Sequence, residues 1–280
     1  MTVPFHRAAE ASSARGTGAR IAEFELLAVF ATVLGVAAAF GVQCASQRGE
    51  WLADPARRIL FEPLLILAAT LPAAPLAAAC TGRRPTALLS VERRIRAGAL
   101  TRALAITVGV YATVTVLSLA WGHLGAGAAS AGDTATPGSD GAATITATGA
   151  LMGVGAYALL GVVVALQTAA EELVFRAALP QILGARALGQ WGASAIVAYG
   201  LPALAFVALH SGSAGTLADV AVFAACAALL TWRTAGIEAA WALHLVGNVW
   251  IMGASISNRP LGTLATVVAT ALIVLTSPRR

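Results

Sequence analysis

From Met152 to Ala170 the chain runs nineteen residues without one charged side chain, and then sets Glu171 and Glu172 side by side. About 20 apolar residues of helix cross a ~30 Å hydrocarbon core. A backbone in lipid must satisfy its own amides and carbonyls, which leaves only helices or a closed barrel. The apolar runs here are continuous rather than alternating, and this excludes the barrel. Similar runs recur along the sequence, and the pattern predicts helices near 24–43, 59–80, 103–125, 147–170, 191–210, 216–232, 237–253 and 261–277. The expected fold is therefore all-α, a polytopic membrane helical bundle of about eight spans. Composition agrees: 58% of residues are hydrophobic and 11% charged, against about 25% charged in soluble domains.

Charge placement predicts the topology. Between spans two and three lie Arg83, Arg84, Arg93, Arg94, Arg96 and Arg102 against one acid, Glu92. Such an excess marks the cytoplasmic side. The segment 126–146 is rich in Gly, Ala, Ser and Thr, carries Asp133 and Asp140 and no basic residue, and reads as a flexible extracytoplasmic loop. Both termini are then expected in the cytoplasm. Arg48, Arg57 and Arg58 run against this scheme, partly offset by Glu50 and Asp54. The arginines mark topology, and no basic-aromatic pattern of a nucleic-acid binder accompanies them. The run after the polar first 20 residues is too long for a signal h-region and is expected to remain as the first span. Cys44, Cys80 and Cys226 show no CxxC spacing and read as packed thiols. The chain divides into 1–125 (tail and three spans), the loop 126–146, and 147–280, which holds the unusual polar residues. The expected location is the cell membrane, multi-pass.

Three polar islands interrupt the last part: Glu171-Glu172-x-x-x-Arg176, Phe206-x-x-x-His210 and His244-x-x-x-Asn248. Spacing of i, i+4 puts both members of a pair on one helix face. A carboxylate inside a membrane costs on the order of 2.5–3.5 kcal/mol even on the mild insertion scale, and two adjacent ones repel. A carboxylate beside an imidazole can deprotonate water and return the proton to a leaving amine. A second imidazole with a carboxamide can hold an oxyanion. Two imidazoles and a carboxylate (His210, His244 and Glu171) are equally a zinc-hydrolase ligand set. Both routes lead to acyl-bond hydrolysis.

In this order, the islands resemble the signatures EExxxR, FxxxH and Hxxx(N/B) of the CAAX protease and bacteriocin-processing family of intramembrane proteases, widely labelled metalloproteases. The resemblance covers roughly 150–255. It implies that Glu171 works with His210 to activate water, that His244 and Asn248 bind the oxyanion, and that Glu172 and Arg176 support the site. It also implies a protein or peptide substrate reached from the bilayer, with water activated either on a metal such as Zn2+ or by the glutamate alone. Two readings from other classes compete: a proton-coupled transporter using the Glu/His cluster as a relay, which would want internal pseudo-symmetry not visible here, and a non-catalytic scaffold or bacteriocin-immunity protein.

Overall fold

The computed structural model describes residues 4–7, 17–49, 51–126, 154–184, 191–253 and 259–277. Regular structure among these is helical throughout, with one isolated bridge between Ser90 and Gly236. A 3-10 turn, Phe5–Arg7, precedes helices α1 (Thr17–Gln47), α2 (Pro55–Ala69), α3 (Ala73–Cys80), α4 (Ala97–Ala126) and α5 (Val154–Glu172). A π-helical turn, Leu173–Ala178, carries α5 into α6 (Leu179–Gly184). Then follow α7 (Trp191–Ala208), α8 (Ala214–Thr234), α9 (Glu238–Gly253) and α10 (Arg259–Thr276). Each of the eight expected segments contains helix among the described residues. The second is divided into α2 and α3 by Thr70, Leu71 and Pro72, where the proline supplies no amide for the ladder. Beyond Ala126, the expected 126–146 loop lies outside the described residues, as do Arg186 and Arg279-Arg280.

Five helical stretches are long and apolar enough to cross a bilayer: Gly18–Gln47, Pro55–Cys80, Ala97–Ala120, Gly155–Gly184 and Ala214–Thr234. Shorter apolar helices occupy Ala195–Ala208 and Pro260–Thr276. Large apolar side chains point outward, among them Val29, Val33, Val36 and Phe40 on α1 and Val116, Leu117 and Leu119 on α4. In water that surface would be untenable, whereas against acyl chains it is the expected exterior. Small residues occupy the interior: Ala73, Ala74, Ala77 and Ala78 of α3 pack in the cluster that includes Leu27, Leu173 and Ala177. Alanine lets helix backbones approach closely, which is what drives association in lipid. The first half of helix α9 is enclosed. Its Ala239, Ala240, Ala242 and Leu243 are all nearly or fully buried in a cluster with Ala103, Ala227, Leu230, Ala269 and Ile273 of α4, α8 and α10.

Two buried arginine clasps lock one end of the bundle. Arg83 binds Glu23 of α1 and Gln181 of α6, and Gln181 also donates to the Ala87 carbonyl at 2.9 Å. Arg96 binds both Glu238 oxygens of α9 at 2.9 and 2.6 Å and donates to the Thr234 carbonyl at 2.8 Å. Glu238 is the first residue of α9, and its carboxylate is taken by Arg96. Two of the three arginines that run against the topology are likewise engaged: Arg58 binds Glu62 at 2.7 Å and Gln43 at 2.6 Å, and Arg57 lies 3.5 Å from Asp54, the N-cap of α2.

Candidate active site

The π turn is where the first island lands. The Leu179 amide bonds the Val174 carbonyl five residues back, the wider winding that tends to appear at functional sites. Glu171 and Glu172 close α5 on its approach to this turn, and Arg176 sits within it. The glutamates face α9. The carboxylate of Glu172 accepts from His244 Nδ1 at 2.8 Å, and Glu171 Oε2 lies 3.4 Å from His244 Nε2. One imidazole is thus held between two carboxylates, each facing a different ring nitrogen. Glu172 is fully buried; Glu171 keeps 11% of its side chain exposed. With Nδ1–H given to Glu172, Nε2 is the nitrogen available for proton exchange with Glu171.

Arg176 supplies the opposing charge. It is 1% exposed, its Nε lies 3.5 Å from Glu172 Oε2, and among the described residues no hydrogen-bond acceptor reaches its guanidinium nitrogens. The rings of Phe206 and Phe223, centred 4.3 and 5.5 Å from its Cζ and 5.8 Å from each other, flank it instead on adjoining sides. Cation–π contact of this kind is worth ~2 kcal/mol or more when desolvated. Phe206 is the hub of the aromatic layer. Its ring centroid lies 4.4 Å from that of His210, 5.9 Å from His244 and 5.2 Å from Phe175, and Phe223 stands 4.6 Å from His244.

His210 lies just beyond the end of α7, partly buried. Its Nδ1 donates to the Phe206 carbonyl at 2.7 Å, so the helix end orients the ring and leaves Nε2 as an acceptor. The structure therefore gathers Glu171, Glu172, Arg176 and His244 in one polar contact network and sets His210 against the Phe206 ring. Asn248, one turn beyond His244, donates Nδ2–H to Gln167 Oε1 at 3.2 Å. Gln167, 3% exposed, is a site residue that motif spacing missed. It stands one turn before Glu171, and an amide inside an uncharged span was the available signal. Other polar residues near the islands have local uses: Ser213 caps α8 by accepting from the Thr216 amide, and Asp219 accepts from Thr263 at 2.6 Å.

The zinc reading needs three donors converging on one point. Among the described residues no three His, Cys, Asp or Glu side chains form such a group, and both ring nitrogens of His244 already face carboxylates.

A helical membrane bundle enclosing an acid–imidazole cluster narrows the possibilities, and comparison names the class. Residues 153–250 match the family model described as type II CAAX prenyl endopeptidase Rce1-like. That segment contains all six motif residues and is what the chain shares with this family of membrane endopeptidases. No curated protein and no solved structure matches the chain.

Proposed function

We propose that the chain is an intramembrane endopeptidase that hydrolyses a peptide bond of a protein or peptide substrate, with Glu171 as the base. The observation that carries this is the bracketing of His244 by Glu171 and Glu172 at 3.4 and 2.8 Å. Water attacks the scissile carbonyl carbon as its proton passes to Glu171. The new C–O bond leaves a tetrahedral oxyanion, which accepts the Nδ2–H of Asn248 that is not given to Gln167. Collapse breaks the C–N bond, and the proton on Glu171 goes to the leaving amine. His210, with Nε2 as an acceptor, orients the attacking water. His244 exchanges a proton with Glu171 through Nε2. That role suits its two carboxylate neighbours better than the oxyanion-binding role the resemblance implies. Glu172 and Arg176 hold this ring and balance its charge without touching substrate. The family name suggests cleavage near a substrate's C-terminus; the alanine-rich, lysine-free composition fits a bacterial genome, so a prenylated tail is not part of the proposal.

Cleavage of a peptide library in proteoliposomes tests it. Glu171→Gln is expected to lower kcat by about 10²–10⁴. Groups that act as one unit are non-additive, so Glu171→Gln with His244→Phe should be no worse than either change alone. Wild-type cleavage by Glu171→Gln removes the mechanism. Non-additivity of Glu171 with His210 instead, and additivity with His244, returns the pairing to the one the resemblance implies.

A further inference from the structure

Away from the carboxylates, a cavity of about 390 Å³ opens where four helix ends meet. Ala97, Ala99 and Arg102 of α4 line it together with Ala239 of α9, Ile273 of α10 and Arg94 of the preceding loop. Glu92, Arg96 and Thr234 also line it, Arg96 with its charge already matched by Glu238. Of the six arginines between spans two and three, Arg83 and Arg96 are buried in clasps. Arg84, Arg93, Arg94 and Arg102 remain exposed against Glu92, four positive charges to one negative. Arg94 meets Glu92 at 2.9 Å with 72% of its side chain in solvent, and Arg102 reaches the Thr276 carbonyl at a long 3.3 Å. Both can turn to a stronger acceptor at little cost, since exposed pairs of this kind are worth at most ~1 kcal/mol.

We propose that this cavity binds the headgroup of an anionic phospholipid. Its walls are alanine and isoleucine, suited to the glycerol end of a lipid, and its rim carries guanidinium groups that bind phosphate oxygens in a fork geometry. It lies between spans on the arginine-rich side, where anionic headgroups concentrate. A zwitterionic headgroup fits less well: its ammonium would have only Glu92 to face, already held by Arg94. The occupant would rest against the first turn of α9, the helix that carries His244. The proposal is independent of the proteolytic reading.

Native mass spectrometry of the full chain in detergent, titrated with dioleoylphosphatidylglycerol and dioleoylphosphatidylcholine, tests it. The anionic lipid should be retained as a single adduct and the zwitterionic one should not. Arg94→Gln with Arg102→Gln should weaken retention about thirtyfold. Ala99→Phe should abolish it at unchanged charge, and Arg48→Gln, at the other end of the bundle, should leave it intact. A melting curve identifies any variant that does not fold, and the charge pair and the steric variant report separately. Equal retention of both lipids, unchanged retention in both cavity variants, or equal loss in Arg48→Gln overturns the proposal. So does displacement of the lipid by inorganic phosphate, which would make this a free-phosphate site.

Discussion

Replacing Glu172 with glutamine leaves an amide oxygen to accept from His244 Nδ1, yet removes the charge that faces Arg176. The arginine is 1% exposed and the glutamate fully buried, with Nε and Oε2 3.5 Å apart. At an effective dielectric constant of ~20 this separation corresponds to about 5 kcal/mol of attraction. Removing one partner of a buried pair typically costs ~3–5 kcal/mol, and here the buried guanidinium would keep only the weaker attraction of Glu171. The stacking on Phe206 and Phe223 is present in both proteins, so it does not soften the difference. Glu172→Gln should therefore destabilise the protein by about 3–5 kcal/mol. Adding Arg176→Met, which removes the excess charge and keeps an unbranched apolar chain against the two rings, should restore stability to within ~1 kcal/mol of wild type. Reversible SDS unfolding in mixed micelles, followed by circular dichroism, measures both. A single variant that loses less than ~1 kcal/mol, or a double variant as unstable as the single one, refutes the idea that this ion pair balances the buried charge.

Further outcomes follow from other contacts. Gln167→Met should lower kcat and leave KM near its wild-type value, because it frees the Asn248 amide to rotate while removing nothing that grips substrate; peptide-cleavage kinetics measure the split. Gly236→Ala should destabilise by at least ~3 kcal/mol, since a methyl group there collides with Arg96 Nη2, Glu238 Oε2 and Ser90 and opens that clasp; SDS unfolding reads the loss. Burial, and secondarily Arg7, holds His6 below the usual imidazole range, so the unfolded chain binds the proton more readily. Stability from this group is complete above pH ~6.5 and falls as pH drops below that, so the melting temperature should decline toward pH 5 and the decline should shrink in His6→Phe.

The architecture was largely legible in the sequence because lipid permits so few solutions: an apolar run of the right length must become a helix. The division of the second span was carried by Pro72, whose effect depends on how α3 packs against α1. The site was legible as a set of residues and less so as pairs. Spacing of i, i+4 places two side chains on a helix face but does not say which neighbouring helix they meet. Glu171 meets His244 because α5 and α9 lie together, and His210 is held at its own helix end by the Phe206 carbonyl. The clasps at Glu23, Gln181 and Glu238 were hidden for the same reason: their partners are 60, 98 and 142 positions away.

The π turn has a mechanical consequence. One helical rod must present carboxylates to α9 and, ten positions later, aim Gln181 at Arg83 and the Ala87 carbonyl. Uniform α winding advances about 100° per residue, so deleting a single position between 173 and 178 would restore regular winding and swing Gln181 away by roughly that angle. The surplus residue acts as a phase-setting joint, tuning two distant contacts independently along one rod.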